Sequence, residues 1–119
     1  MLRLVATSLI VILLSAGAAL AGNCTRPPAP MVPDGTIATR DEMIAASQAV
    51  KAFMSETERY LDCLKVEESL TPPEQLTAET QQLLIDRHNA AIEDMERVAT
   101  AYNQAVRDYK ARIQDGGSN

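Results

Sequence analysis

A heptad pattern of apolar and small side chains runs through residues 39–69, which read TRDEMIAASQAVKAFMSETERYLDCLKVEES. The pattern positions alternate steps of three and four residues, the spacing that keeps one face of a helix against a partner helix. Thr39 and Glu42 have the types and spacing of a capping box, which marks a helix start. We therefore predict a first helix over about residues 40–69. Its packing face carries Met43, Ala46, Val50, Phe53, Thr57, Tyr60 and Leu64.

Two prolines interrupt the pattern within residues 70–76, which read LTPPEQL. Because a residue before proline disfavours the helical conformation, we predict a turn there. Thr71 and Thr77 are alternative N-caps for a second helix, which we place at about residues 77–114, ahead of a flexible tail over residues 116–119. The packing face of this helix repeats the same spacing at Leu84, His88, Ala91, Met95, Val98, Tyr102, Ala105 and Tyr109.

The turn is short enough to require antiparallel helices. A pairing centred on the turn sets Met43 opposite Ala105, and it sets Tyr60 opposite His88. We predict that the Tyr60 hydroxyl and the His88 imidazole form a buried hydrogen-bonded pair. The predicted fold is all-α, an antiparallel two-helix hairpin that resembles a coiled coil.

A proline-rich arm over residues 22–39 precedes the first helix. In the polyproline II conformation the segment from Cys24 to Thr39 spans up to about 47 Å. The first helix rises about 35 Å from its start to Cys63, so the arm is long enough to run back beside it. Cys24 and Cys63 are the only cysteines. In an exported chain such a pair predicts one disulfide, here tying the arm to the first helix, with two free thiols as the alternative.

Residues 1–21 have the three parts of a secretory signal peptide: a basic start, an apolar core and the small residues of Ala19-Leu20-Ala21. The core is shorter than the about 20 apolar residues that a membrane-spanning helix needs. We therefore expect cleavage after Ala21 and a periplasmic or secreted protein without stable membrane insertion. Asn23 stands where a lipoprotein signal has a small residue before its cysteine, so a lipid anchor is not expected.

The chain that remains after cleavage is acidic. Removal of residues 1–21 takes away Arg3 and leaves 98 of 119 residues, with 10 basic and 16 acidic side chains. The resulting net charge of about −6 argues against binding of nucleic acid or anionic lipid, since both require a basic face. We expect the neighbouring carboxylates Glu93, Asp94 and Glu96 to be solvated.

Sequence motifs of catalysis are missing from the chain. It contains none of the short motifs of serine hydrolases, zinc proteases or phosphate-binding loops. His88 is the only histidine, and the residues three and four positions from it are the apolar Leu84, Ile85, Ala91 and Ile92. Because a metal site on a helix needs further ligands at those positions, we expect no metal site. Since the catalytic motifs are missing as well, we expect no cofactor and no enzymatic activity.

A second apolar row lies beside the packing face of the second helix and meets two apolar residues of the first helix. We interpret this row as an interaction flank, since exposed apolar stripes usually mark contact surfaces. The arm crossing over to cover it, a second copy in a homodimer, and another envelope protein are the three alternatives for its occupant. The flank consists of Met54, Leu61, Ile85, Ile92, Ala99, Val106 and Ile113.

Several segments together resemble an uncharacterised group of small exported helical proteins of Gram-negative bacteria. The resemblance covers the first half of the chain after residue 21, and it implies an exported helical protein without an assigned function. The segments are Cys24, PPAPMVPDG at residues 27–35, Met43, Val50-Lys51 and YLDCL at residues 60–64.

Two adjacent boxes, LTPPEQ at residues 70–75 and LTAETQ at residues 76–81, are weakly similar to the LTxxQ boxes of the Spy/CpxP periplasmic stress chaperones. This resemblance implies a helical, cradle-shaped dimer that binds unfolded clients or metals. From the sequence we expect a non-catalytic exported protein with an interaction or structural role in the cell envelope. A Spy/CpxP-like chaperone or a metal- or envelope-stress protein is the alternative.

Overall fold

Two long helices joined by a short turn form an antiparallel hairpin in the computed structural model, which describes residues 24–116. Helix α1 spans Arg40–Leu70, a short 3-10 helix spans Pro73–Gln75, and helix α2 spans Ala78–Gly116. Residues 24–116 contain no β-strand, so the predicted all-α hairpin is confirmed. The predicted signal peptide and the last three residues of the predicted tail lie outside the described residues.

Local side-chain hydrogen bonds fix where the helices begin. The Thr39 hydroxyl accepts a hydrogen bond from the Glu42 backbone N–H at 3.2 Å, and the Glu42 carboxylate accepts one from the Thr39 N–H at 2.7 Å. This reciprocal pair is the predicted capping box. At α2 the Thr77 hydroxyl accepts from the Thr80 N–H at 3.2 Å, so Thr77 is the N-cap.

The helix ends follow from proline and glycine. Helix α1 stops at Leu70 because Thr71, which precedes Pro72, has extended backbone angles. Helix α2 continues through Gly116, two residues beyond the predicted end. A single glycine costs a helix only about 1 kcal/mol relative to alanine, too little to stop it by itself.

Three clusters of buried side chains form the core between the helices. All seven predicted packing positions of α1 are buried. Met43 lies in one cluster with Ala105, as the predicted pairing requires. The other two clusters join Val50, Phe53 and Val98, and Tyr60, Leu64 and Ala91.

The packing face of α2 differs from its prediction. Asp94 is buried, whereas Met95 and Tyr102 are only half-buried and His88 is exposed. The buried line of α2 is therefore rotated toward the side that carries Asp94. The predicted buried pair of Tyr60 and His88 is wrong for this reason. Tyr60 is buried, but its ring faces the Arg87 guanidinium, whose carbon lies 6.0 Å from the ring centroid.

The arm lies along the hairpin and runs parallel to α2. A disulfide joins Cys24 to Cys63, as predicted, with Cα atoms 5.7 Å apart. At the other end of the arm, the Ala38 carbonyl accepts a hydrogen bond from Arg112, near the end of α2. Between these points Gly35 packs directly on the α2 backbone.

Gly35 is needed for close approach. Its φ is not positive, so backbone freedom is not the reason for glycine at this position. A Cβ atom there would lie 1.9 Å from the Ala105 carbonyl oxygen, a distance that no side chain can occupy. The arm therefore reaches α2 because residue 35 has no side chain.

Candidate functional site

The hairpin has two broad faces, and the arm covers one of them. We call this side the arm face. It carries Cys63 of α1 together with Arg87 and Asp94 of α2, which all contact the arm. The opposite side is the open face, defined by the seven residues of the predicted interaction flank: Met54, Leu61, Ile85, Ile92, Ala99, Val106 and Ile113.

Asp94 is the centre of a charged cluster on the arm face. Its side chain is only 9% exposed. The Arg26 Nε donates to Asp94 Oδ2 at 2.8 Å, and the Arg97 Nη2 donates to Asp94 Oδ1 at 2.6 Å. Both carboxylate oxygens are thus paired, as a buried carboxylate requires. The expectation that Asp94 is solvated is wrong, because the arm brings Arg26 onto it.

The cluster changes the acidity of Asp94. The hydrogen bond from Arg26 is the main cause that lowers the pKa of the Asp94 carboxyl below its usual value, and burial acts against it. The positive charges of Arg26 and Arg97, with the Arg97 hydrogen bond, lower the pKa further. The folded protein therefore favours the ionised carboxylate.

Arg87 ties all three segments of the protein together. From α2 its Nη1 donates to Glu67 Oε1 of α1 at 3.1 Å, and its Nη2 donates to the Cys24 carbonyl of the arm at 3.4 Å. The Arg87 and Glu67 side chains are 25% and 28% exposed, so water screens this pair less than a surface pair. The Arg87 guanidinium also lies over the Tyr60 ring. Arg87 of α2 therefore contacts both the arm and α1 at the end of the arm face nearest the turn.

The ion pairs of the arm face were not predicted from the sequence, although the position of Arg87 and Asp94 in one row of α2 points to them. Arg87 and Asp94 lie one heptad apart, on the side of α2 that the pairing sets next to Cys63. Because the disulfide fixes Cys24 there, Arg26 has to lie close to that row. A charged row beside the cysteine of the partner helix therefore predicts a bound arm rather than solvated side chains.

We expect the replacement Asp94→Asn to lower the free energy of unfolding by about 1 kcal/mol at pH 7 and to have less effect at pH 3. The magnitude is modest because the Arg26 side chain is 44% exposed and water screens the pair. The folded-state pKa of Asp94 lies below the unfolded value of about 3.9, so its stabilisation is complete above about pH 4 and is lost as the pH falls through the folded-state pKa. Urea unfolding at both pH values measures the difference, and an equal difference at pH 7 and pH 3 would contradict the assignment.

The open face keeps apolar side chains in contact with solvent at both of its ends. Ile85 is 52% exposed and Ile113 is 50% exposed. The middle of the row, at Ile92, Ala99 and Val106, is half-buried. Because Ile85 and Ile113 are about half exposed, the arm does not cover the whole flank, although Val106 packs against the core cluster that contains Ala38 of the arm.

A shallow groove continues the open face toward the turn. Its volume is about 360 Å³. His88 lies at this groove, beside the apolar side chains of Leu64, Leu84 and Ile85, and the remaining lining residues are Lys65, Glu68, Gln81 and Asn89. The groove therefore ends the open face near the turn with a mixed surface, in which three apolar side chains are bordered by polar and charged ones.

The open face is suited to contact with another apolar surface. Within residues 24–116 no three histidine, cysteine, aspartate or glutamate side chains are grouped so that they could hold a metal ion. None of the helices in the described part of the chain is both long and apolar enough to cross a membrane.

No protein-family model, curated protein or solved structure matches the chain.

Proposed function

We propose that this chain is an exported, non-catalytic protein of the bacterial cell envelope that acts by binding a protein through its open face. The observation that carries the proposal is the asymmetry of the hairpin. The arm covers one broad face, whereas the other keeps an apolar row from Ile85 to Ile113, about 42 Å long at 1.5 Å per residue. Uncovered apolar surfaces of this extent mark contact sites in soluble proteins.

Two features support export. Disulfides form and persist in oxidising compartments such as the periplasm, and the Cys24–Cys63 disulfide joins the arm to α1. The first 21 residues have the composition of a secretory signal peptide. Because the Cys24 sulfur is bonded to Cys63, it is not free to carry a lipid, which supports a soluble rather than a lipid-anchored protein.

The charge distribution supports a protein as the ligand. The seven residues of the open face are uncharged, while the chain as a whole is acidic. An acidic protein repels nucleic acid and anionic lipid surfaces. An apolar, uncharged row is complementary to another apolar protein surface, where burial of apolar area supplies the binding free energy.

Site-specific photocrosslinking tests the proposal in cells that export the protein. A photoreactive amino acid at Val106 should give a covalent adduct with a protein, and the same probe at Gln104 should not. Gln104 is the matched control because it is exposed and lies two residues away, about 200° around the same helix. A probe at Ile92 should behave like the one at Val106. Equal adducts at Gln104 and Val106, or none at Val106 and Ile92, would contradict the proposal.

A general chaperone is the second candidate, favoured by the exposure of Ile85 and Ile113 in the single chain. A Spy/CpxP-like chaperone suppresses the aggregation of unrelated unfolded proteins, whereas a specific binding module does not. The aggregation of a chemically denatured test protein, followed by light scattering with and without this chain, separates the two. Suppression that disappears in the Ile92→Asp variant would favour the chaperone.

A further inference from the structure

We infer that the open face binds a second copy of this chain, with the two α2 helices antiparallel and the two-fold axis passing at Ala99. This inference rests on the proposed function, because it uses the open face as the binding surface and names its occupant. A symmetric dimer requires a surface that matches itself after a rotation of 180°. The open face meets this requirement in side-chain size, in charge and in area.

Side-chain size matches along the apolar row of α2. A two-fold axis at Ala99 sets Ile92 opposite Val106 of the second copy, and Ile85 opposite Ile113. Large side chains therefore meet large side chains at four places, and the small Ala99 meets itself at the centre. A small residue at the axis lets the two helices approach closely, so that the larger side chains on either side interlock.

A second row of α2 residues, between the apolar row and α1, also matches itself. The same axis sets Met95 opposite Tyr102 of the second copy, and His88 opposite Tyr109. Met95, Tyr102 and Tyr109 are half-buried in the single chain. A methionine sulfur beside an aromatic ring is a favourable contact. The imidazole of His88 is exposed in the single hairpin. In the dimer it would face the hydroxyl of Tyr109 of the second copy.

A third row of α2, on the side away from α1, contains charged residues. The two-fold axis brings no like charges together in this row. The axis sets Asn89 opposite Lys110 of the second copy, and Glu96 opposite Asn103. Each charge thus faces a neutral amide that can accept from lysine or donate to glutamate. Because like charges opposite each other would disfavour pairing, their absence from this row permits the dimer.

The area of the face fits a stable dimer. The row is about 42 Å long, and two adjacent helices, each about 10 Å across, give a width of about 20 Å. The face therefore offers roughly 800 Å² per copy, the size of a standard specific interface, when the α1 side that carries Met54 and Leu61 contacts the second copy together with α2; the strip of α2 alone gives about half of this area.

A two-fold axis parallel to the helices fits less well. It would set α2 of one copy against α1 of the other. Toward its N-terminus the open side of α1 continues from Met54 to Ser47 and Arg40. Because Met43 packs with Ala105, Ala99 and Val106 would then lie near the Ser47 hydroxyl and the Arg40 charge, and Ile113 would lie beyond the start of α1, so the row would lose the benefit of apolar burial. Pairing α2 with α2 keeps the whole apolar row together.

Cysteine crosslinking of the purified protein, with its native disulfide intact, tests the arrangement. Under mild oxidation Ala99→Cys should form a covalent dimer, because the two residues meet at the axis. Ile92→Cys alone should not, since its two copies lie about 21 Å apart along the helices. An equal mixture of Ile92→Cys and Val106→Cys should crosslink, and Gln104→Cys should not. Crosslinking of Ile92→Cys alone, without Ala99→Cys, would overturn the arrangement.

The solution mass provides the second measurement. Sedimentation equilibrium of the unmodified protein should give twice the chain mass, and Ile92→Asp should raise the dimer dissociation constant at least about tenfold while the helix content stays unchanged. A monomer at all concentrations would overturn the dimer. In that case adducts of the Val106 photoprobe with a different protein would leave the proposed function standing, whereas their absence would remove both.

Discussion

Replacement of both Cys24 and Cys63 by serine is expected to lower the free energy of unfolding by about 4 kcal/mol. The disulfide closes a loop whose ends are 39 residues apart, and loss of that constraint raises the entropy of the unfolded chain. The double replacement avoids a free thiol that could form disulfides between molecules. Urea unfolding followed by circular dichroism measures the change. Since small domains are stable by only about 5–15 kcal/mol, a loss of this size is a large part of the total.

The variant Arg26→Gln is the matched control for the disulfide. It removes the ion pair with Asp94 but keeps the covalent tie between arm and α1. We expect it to cost about 1 kcal/mol, because the Arg26 side chain is 44% exposed. If the double serine variant lost no more than Arg26→Gln, the disulfide would not be the main stabiliser of the arm.

Phe53→Ala is expected to lower the free energy of unfolding by about 3 kcal/mol. Phe53 is 3% exposed and packs in the central core cluster with Val50 and Val98. Removal of its ring takes away apolar burial and leaves a cavity between α1 and α2, which the long helices cannot close without bending. Thermal unfolding and urea unfolding should both report the loss.

Two further variants separate packing from helix propensity. Phe53→Leu keeps most of the apolar volume and should cost less than about 1.5 kcal/mol. Val66→Ala on the same helix changes a side chain that is 55% exposed and should change stability by less than about 0.5 kcal/mol. If Phe53→Ala cost no more than Val66→Ala, the packing face of α1 would be wrongly assigned.

Local patterns were sufficient to predict α1 and the turn. The capping box at Thr39, the uninterrupted heptads and the proline after Thr71 each act within a few residues of chain. All seven predicted α1 positions are buried as a result. The disulfide was predictable as well, because the chain has only two cysteines.

The buried side of α2 could not be predicted from its own pattern, because a third segment lies against it. The heptads of α2 allow either Met95 or Asp94 to be buried beside Ala91, Val98 and Ala105. Because apolar side chains are buried more often than charged ones, the sequence pattern favours Met95. The arm reverses this choice, because Arg26 lies over Asp94 and compensates the cost of burying a carboxylate. That contact joins residues 68 positions apart. Short-range periodicity contains no information at such a distance, and His88 was misplaced for the same reason.

The connectivity of the arm has a consequence for the order in which the protein assembles. Cys24 and Cys63 both precede α2 in the chain. If the chain crosses a membrane N-terminus first, as the proposed export requires, both thiols reach the oxidising side while α2 is still in transit. The covalent loop of arm and α1 can therefore form early, while the contacts of Arg26, Gly35 and Ala38 form only when α2 arrives, because their partners Asp94, Ala105 and Arg112 belong to α2. Helix α2 would then dock between an arm and a helix that the disulfide already holds together.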